Sequence, residues 1–184
     1  SLRLICKIDA AGGITTYEYN QFDQKTRETG PTGAVTEWCY DEQGNLVTLT
    51  DALGQTTGVM YNKQGLPITI IEPSGTAWMR EYDELGNLTG AGNAFGWWRY
   101  ERDAAGNIVR VHNPGGGIAD FAYDGRGLLL QSSDWQGQTT RFERDDFGFI
   151  RTRIDPLGQR SHYDYTIEGH LTELRLPDGS TRQA

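Results

Sequence analysis

Cysteine is scarce in this sequence: Cys6 and Cys39 are the only two among 184 residues. So few cysteines exclude a framework of several disulfides and a zinc site built from four cysteines, and we expect two free thiols. Long apolar runs are also missing, since no stretch approaches the ~18 consecutive apolar residues of a membrane-spanning helix. The first residues become polar too early for a secretory signal peptide, so we expect any targeting signal to lie outside this sequence.

Basic residues are in deficit. Lysine and arginine number 17 against 25 aspartates and glutamates, which gives a formal net charge of −8. Non-specific binding to nucleic acid or to an anionic membrane requires a basic surface, so this balance disfavours both partners. Apolar residues make up only 36%, yet five Trp, nine Tyr and six Phe argue against a disordered chain. We therefore expect aromatic side chains to provide most of the packing.

Glycine, by contrast, is abundant and regularly spaced, with 24 among 184 residues against a usual fraction of about 7%. A repeat recurs every 21 residues, with one step of 20, and it starts at Tyr19, Tyr40, Tyr61, Tyr82, Arg102, Tyr123, Arg144 and Tyr165. Its fifth position is Asp23 in the first copy and glycine in the others: Gly44, Gly65, Gly86, Gly106, Gly127, Gly148 and Gly169. A second series with the same spacing comprises Gly12, Gly33, Gly54, Gly75, Gly96, Gly116, Gly137, Gly158 and Gly179. A fixed period of this kind predicts a repeat fold with two turns per period.

The chemistry of both turns is that of a β-hairpin. Asp41-Glu42-Gln43-Gly44 represents the first turn and Asp155-Pro156-Leu157-Gly158 the second. Asp at the first position and Gly at the fourth predict a type I turn in which the carboxylate caps the backbone and the glycine takes a positive φ. Residues between the turns alternate in polarity and are rich in β-branched and aromatic side chains, which predicts strands and no helix.

The alternation predicts two different faces. The position two before each repeat start is mostly aromatic, as in Tyr17 and Trp38, and shares a face with the repeat start. The residues between these two columns are mostly acidic, as in Glu18, Glu101 and Glu143, which predicts a solvated acidic face.

About 16 strands follow from about eight periods, and open sheets of that size curl. We therefore predict an all-β fold, a spiralling antiparallel strip of hairpins that forms a solenoid or part of a barrel-like shell. The segments from Leu2 to Ile8 and from Ser180 to Arg182 match strands of further periods. We expect residues 1–184 to form one repeat region and to be a piece of a larger shell.

The repeat resembles the RHS or YD-repeat family. The motif Tyr-Asp-x-x-Gly-Asn-Leu stands at Tyr40 to Leu46 and at Tyr82 to Leu88, with a variant from Arg102 to Ile108. The resemblance implies a β-cocoon of the kind found in bacterial Rhs polymorphic toxins and toxin complexes and, more distantly, in teneurins. A self-cleaving Asp-Pro-x-Gly-Leu motif is not matched, because Gln159 follows Gly158.

The resemblance also implies a function. We expect a non-enzymatic shell segment that encapsulates a C-terminal toxin domain of a secreted bacterial effector, made in the cytoplasm and delivered by a secretion system. The implied partners are the remainder of the shell, the enclosed toxin and, further, a type VI secretion spike, a toxin-complex pore or a chaperone. The alternative is a surface module that binds carbohydrate or a receptor. An enzyme such as a glycosidase is disfavoured, because a carboxylate that recurs in every period indicates turn structure.

We predict no catalytic residue, no metal ligand and no cofactor. His112, His162 and His170 lack metal-ligand spacing, and the turn carboxylates lack a calcium-loop pattern. Trp97, Trp98 and Trp135 are candidate contacts with a ligand or cargo, and adjacent Trp97 and Trp98 are expected on opposite faces. The predicted structural residues of the repeat are Tyr19, Tyr40, Asp41, Gly44, Tyr61, Gly65, Tyr82, Asp83, Gly86, Asp103, Gly106, Tyr123, Asp124, Gly127, Asp145, Gly148, Tyr165 and Gly169.

Overall fold

The computed structural model describes residues 3–183, and every regular element in this range is a β-strand. None of these residues forms a helix long and apolar enough to cross a membrane. The chain divides into two compact units, Ser1–Ala94 and Phe95–Ala184. The prediction of an all-β fold built from antiparallel hairpins is confirmed.

The first unit contains nine strands that pair antiparallel in chain order. They are β1 (Cys6–Ile8), β2 (Ile14–Tyr19), β3 (Lys25–Thr29), β4 (Val35–Tyr40), β5 (Leu46–Thr50), β6 (Thr56–Tyr61), β7 (Pro67–Ile71), β8 (Ala77–Tyr82) and β9 (Leu88–Asn93). The predicted strand from Leu2 to Ile8 is covered only in part, because Leu2 lies outside the described residues.

The second unit also contains nine strands in the same antiparallel arrangement. They are β10 (Gly96–Arg102), β11 (Ile108–His112), β12 (Ile118–Tyr123), β13 (Leu129–Ser133), β14 (Thr139–Arg144), β15 (Ile150–Ile154), β16 (Arg160–Tyr165), β17 (Leu171–Arg175) and β18 (Thr181–Gln183). Within each unit a strand contacts only the strands before and after it in the chain. Each unit is therefore a single layer.

The turns have the predicted geometry. In the turn that begins at Asp41, the amide of Gly44 donates to the carbonyl of Asp41 at 3.1 Å, and the amide of Asp41 donates to the carbonyl of Asn45 at 2.9 Å. Gly44 has a φ of 86°, and the strand register shifts between Cys39 and Tyr40, just before the turn. This is the type I turn with a glycine bulge that joins two antiparallel strands.

Two positions depart from the expected pattern in different ways. Asp23, which interrupts the glycine series, nevertheless has a φ of 64° and so keeps the left-handed conformation. Gly96 was expected to close a turn with positive φ, and that prediction is wrong: it is the first residue of β10, and its φ is not positive. Only Ala94 and Phe95 separate β9 from β10, whereas other turns leave five residues between strands. The turn is three residues shorter, while β9 and β10 are each one residue longer than the corresponding strands, and the net loss of one residue accounts for the 20-residue step.

The two faces of each unit differ as the alternation predicts. In β2, Tyr17 and Tyr19 are half-buried and Glu18 is exposed; in β4, Trp38 and Tyr40 are half-buried and Cys39 is exposed. We call the side that carries the repeat starts the aromatic face and the other the opposite face. Because each unit is one layer, large side chains on both faces keep some exposure, and the buried side chains among residues 3–183 are the small ones of Ala119, Thr152 and Ser161.

On the second unit, the opposite face combines the predicted acidic column with basic side chains. On the second unit its carboxylates meet basic groups from the adjacent strands: Glu101 Oε1 lies 2.7 Å from His112 Nε2. Asp164 Oδ2 lies 2.8 Å from Arg175 Nη2. The acidic column exists, but cross-strand pairing gives this face a mixed charge.

Candidate functional site in the turns, the tyrosine column and the tryptophan pair

The repeated aspartates act as caps of the first turn. Asp41 Oδ1 accepts hydrogen bonds from the amides of Gln43 at 3.0 Å and Asn45 at 2.8 Å, and its Oδ2 accepts one from the side-chain amide of Asn45 at 3.0 Å. The same capping of two backbone amides occurs at Asp83, Asp103, Asp124 and Asp145. These oxygens satisfy turn amides, which is a structural role rather than the paired-carboxylate geometry of a hydrolase.

The capping bonds also set the ionisation of these carboxyls. The side-chain amide of Asn45 lowers the pKa of Asp41, and the side-chain amide of Asn107 lowers the pKa of Asp103. A hydrogen bond donated to a carboxylate favours its charged form. These two carboxyls are thus held ionised, which suits a cap and does not suit a general acid.

The tyrosine at the repeat start joins neighbouring periods through its hydroxyl. Tyr40 Oη donates to the carbonyl of Lys25 at 2.9 Å, Tyr61 Oη to that of Leu46 at 2.9 Å, and Tyr82 Oη to that of Pro67 at 3.0 Å. Each acceptor lies 15 residues upstream, at the first residue of a strand. The sequence analysis assigned this column to ring packing and missed the hydroxyl. The signal was present, because the column contains Tyr or Arg and never Phe.

Arginine replaces tyrosine in this column with a similar bond. Arg144 Nε donates to the carbonyl of Leu129, again 15 residues upstream, at 3.1 Å, and its Nη1 donates to the carbonyl of Gly148 at 2.8 Å. Tyr165 takes a different part and stacks on Phe149, with ring centroids 5.2 Å apart. Burial raises the pKa of the Tyr165 hydroxyl. The first position of each repeat therefore contacts the preceding period in several ways: through a tyrosine hydroxyl, an arginine side chain or a stacked ring.

Glycine in the first turns provides a positive φ and leaves room for a neighbouring side chain, whereas glycine in the second turns provides only the positive φ. We call the row of first turns the first-turn edge and the row of second turns the second-turn edge of each unit. At the first-turn edge, a β-carbon on Gly148 would lie 2.8 Å from Leu128 Cδ1, and one on Gly169 would lie 2.7 Å from Phe149 Cζ. At the second-turn edge, a β-carbon on Gly137 or Gly158 would have nothing within 4 Å. Among the glycines with positive φ, only those of the first turns approach the turn of a neighbouring period, although Gly13 in a second turn also approaches Pro31 Cγ, 3.0 Å from its β-carbon position.

The structure brings two of the three candidate tryptophans together. Trp98 lies on the aromatic face of β10, and Trp135 lies in the second turn between β13 and β14. Their ring centroids are 5.7 Å apart with an interplanar angle of 65°, an edge-to-face contact. The two residues remain 37% and 44% exposed. Trp97 lies on the opposite face by strand alternation, so it is not part of this pair.

The remaining candidates do not form a site. Cys6 and Cys39 are free and exposed. Residues 3–183 contain no group of three His, Cys, Asp or Glu side chains that could hold a metal ion. The three histidines are dispersed, with His170 Nδ1 3.7 Å from Glu168 Oε2 and His162 Nδ1 3.4 Å from Thr152 Oγ1.

Solved structures of Tc toxins share this fold. The structure of TcdB2-TccC3 without its hypervariable C-terminal region matches with a TM-score of 0.70 and 17% identity over 92% of this chain and 11% of that chain. A Tc holotoxin pore of Photorhabdus luminescens matches with a TM-score of 0.63 and 12% identity over 89% of this chain and 12% of that chain. These likenesses confirm the fold expected from the repeats.

A curated toxin shares the sequence over a shorter range. Double-stranded DNA deaminase toxin A of Burkholderia cenocepacia is 35% identical over 103 residues, which are 55% of this chain and 7% of that toxin. The chain thus spans less than a tenth of the length of this relative. No family model matches the chain. The repeated residues, the fold and the two kinds of relative together show that the chain is similar to the RHS-type repeat regions of bacterial toxins.

Proposed function

We propose that this chain is a wall segment of a shell that encloses a C-terminal toxin domain of the same polypeptide. The proposal rests on one observation: the tyrosine hydroxyls and the turn carboxylates of the repeat form hydrogen bonds with the backbone. Such residues build a continuous wall. The segment itself has no catalytic role, and any toxic activity resides in another part of the polypeptide.

Confinement is the mechanism of such a wall. Within each unit, the inner strands are hydrogen-bonded on both sides, so they offer no free backbone to a passing strand. A wall of this kind can enclose a polypeptide without pairing with it. Charges on the opposite face of the second unit are matched across strands, as in Arg110 and Asp120 at 2.6 Å, which further limits adhesion.

The proposal extends to the whole sequence and its partners. Residues 1–184 form one repeat region of about eight periods within a larger shell. Its partners are the rest of that shell, the enclosed toxin domain, and a secretion spike of the type VI kind, a toxin-complex pore or a chaperone. The protein acts as a secreted bacterial effector that is made in the cytoplasm.

Limited proteolysis of the full-length parent protein tests encapsulation. The C-terminal domain is expected to survive protease in the parent and to be degraded when it is produced alone. A Gly169→Ala variant, which crowds the first-turn edge, should increase cleavage, whereas Gly158→Ala at the open second-turn edge should increase it less. Equal protease sensitivity of the domain in both settings would contradict the proposal.

A second proposal concerns the pair formed by Trp98 and Trp135. Two half-exposed indoles in edge-to-face contact present ring surface to a ligand or to the enclosed cargo. Tryptophan fluorescence, titrated with a glycan panel and with the purified C-terminal domain, should respond saturably. The response should be lost in Trp135→Ala and kept in Trp97→Ala, because Trp97 lies on the opposite face. A response that survives Trp135→Ala would contradict this assignment.

A further inference from the structure

Two methionines lie in one row on the opposite face of the first unit. In the strand register, Met60 of β6 is paired with Thr69 of β7, and Thr69 is paired with Met79 of β8. Directly paired residues point to the same side of a sheet, so these three side chains share a face. Met60 directly precedes Tyr61, a repeat start on the aromatic face, and alternation therefore places the row on the opposite face.

The surroundings of this row are small or apolar. The next row of the same face contains Ile71, which is paired with Gly58 on one side and with Ala77 on the other. Met60 is 55% exposed, Met79 is 43% exposed and Ile71 is 40% exposed. Solvent therefore reaches both methionine side chains. We call the following five residues the methionine patch: Met60, Thr69, Ile71, Ala77 and Met79.

The methionine patch differs in charge from the rest of its column. Met60 occupies the position directly before the repeat start, where most periods have a carboxylate. On the second unit such a carboxylate is paired across strands, as in Glu143, whose Oε1 lies 3.1 Å from Arg160 Nη1. A thioether sulfur is only a weak hydrogen-bond acceptor, so the patch is an uncharged and weakly polar surface. The carboxylates of this column are Glu18, Glu81, Glu101, Glu143 and Asp164.

Exposed thioethers are oxidised by hydroperoxides. With hydrogen peroxide, the O–O bond breaks, an S–O bond forms, the sulfur loses two electrons and the peroxide is reduced to water. The product is methionine sulfoxide, which is polar and which sulfoxide reductases convert back to methionine. Thr69 is paired with both methionines, and its hydroxyl can donate a hydrogen bond to a sulfoxide oxygen. The local sequence therefore accommodates the oxidised form.

We propose that Met60 and Met79 are sites of reversible oxidation by hydroperoxides, and that their oxidation switches the methionine patch from an apolar to a polar surface. In the reduced state, the patch is accessible to an apolar probe. In the oxidised state, it resembles the polar opposite face of the second unit. The switch does not depend on encapsulation, so either proposal can fail without the other.

Peroxide treatment of the chain tests the proposal. A background with Cys6→Ser and Cys39→Ser is used, because both exposed thiols would otherwise react as well. Peptide mass spectrometry should find one added oxygen on Met60 and one on Met79. The fluorescence of the apolar dye bis-ANS should fall at least roughly twofold on oxidation, and methionine sulfoxide reductases A and B should restore it.

Two results would overturn the proposal. One is unchanged dye fluorescence after both sulfoxides have formed. The other is a rise in dye fluorescence together with loss of the β-sheet signal in circular dichroism, because oxidation would then unfold the chain instead of changing its surface.

Two double variants locate the effect on the methionine patch. Met60→Leu with Met79→Leu keeps the apolar surface and removes both sulfur atoms, so dye fluorescence should stay high before and after peroxide. Met60→Gln with Met79→Gln introduces polar side chains of similar length and should lower dye fluorescence without peroxide. Both positions are exposed, so both variants should keep the circular dichroism of the parent. A peroxide-dependent loss of fluorescence that persists in the leucine variant would refute this location.

Discussion

The two edges of the units contain the same turn and use it differently. At both edges the fourth residue is a glycine with positive φ, such as 86° at Gly169 and 81° at Gly158. At Gly169 the ring of Phe149 also occupies the space where a side chain would begin, whereas Gly158 faces open space. Glycine is therefore required at Gly158 for its backbone conformation alone, and at Gly169 for both its backbone conformation and its small size. In the sequence the two requirements look the same.

The first-turn edge also collects the links between periods. Gln24 Nε2 donates to the carbonyl of Gly44 at 2.8 Å, and Arg126 Nη1 donates to the carbonyl of Asp146 at 2.7 Å. The tyrosine hydroxyls reach carbonyls at the start of the strands that leave this edge. We infer that the first-turn edge carries most of the coupling between neighbouring periods, while the second-turn edge tolerates more change.

The largest expected effect comes from adding a methyl group at the two edges. Gly158→Ala should cost about 1–2 kcal/mol, because alanine is strained at positive φ. Gly169→Ala should cost a further ~1–3 kcal/mol from the clash with Phe149, whose ring is held by stacking on Tyr165. Urea unfolding of the chain, followed by circular dichroism, measures both changes.

A double variant shows whether packing is the cause. Phe149→Ala should remove most of the additional cost of Gly169→Ala, because the ring no longer occupies that space, and it should have no such effect on Gly158→Ala. Equal destabilisation by Gly158→Ala and Gly169→Ala would contradict the inference that the two edges differ in packing.

The next effect tests the tyrosine column. Tyr82→Phe removes the hydroxyl that donates to the carbonyl of Pro67 at 3.0 Å and should lower the free energy of unfolding by about 1 kcal/mol. Tyr17→Phe is the matched control, since the hydroxyl of Tyr17 makes no hydrogen bond with residues 3–183. Equal stability of the two variants would show that the column acts through its rings alone.

The sequence predicted strands and turns well because both depend on local chemistry. Alternation places Trp38 and Tyr40 on one face, and Asp41 with Gly44 defines a turn within four residues. The failures concern relations that depend on register. The carbonyl that accepts from Tyr82 lies 15 residues away in sequence, and the approach of Phe149 to Gly169 spans one whole period.

The candidate sites followed the same division. Strand alternation predicts that Trp97 and Trp98 lie on opposite faces, but the contact of Trp98 with Trp135 joins residues 37 positions apart and has no local signal. Gly96 fitted the glycine series and was therefore assigned to a turn, but the connection between β9 and β10 is shorter than the other turns, and Gly96 lies in β10. The acidic column was visible, whereas the ion pair of Asp164 with Arg175 depends on which strands are adjacent.

A smaller effect concerns the one first turn without glycine. Asp23→Gly should raise the free energy of unfolding by about 0.5 kcal/mol, because relief of the strained φ exceeds the loss of an exposed ion pair with Arg3 and the greater freedom of glycine in the unfolded chain. The reverse change one period later, Gly44→Asp, should destabilise the chain by about 1–2 kcal/mol. Thermal unfolding compares the two, and destabilisation by Asp23→Gly would mean that the Arg3 pair outweighs the strain.

The smallest effect is a pH dependence to which the first-turn caps contribute. The pKa of Asp41 is lowered from its ordinary value of 3.8, chiefly by the hydrogen bond from the Asn45 side chain. A group whose pKa is lower in the folded state stabilises the fold above its unfolded pKa, and this contribution is lost as the pH falls through the folded value. The chain should therefore lose stability below about pH 4. Asp41→Asn should reduce that loss, because asparagine keeps the oxygen acceptor and does not titrate. One period later, Asn62 occupies the same position, and its Oδ1 accepts hydrogen bonds from the amides of Gln64 at 2.9 Å and Leu66 at 3.0 Å. Urea midpoints measured between neutral pH and about pH 3 give the two slopes, and identical slopes would place the acid sensitivity elsewhere in the molecule.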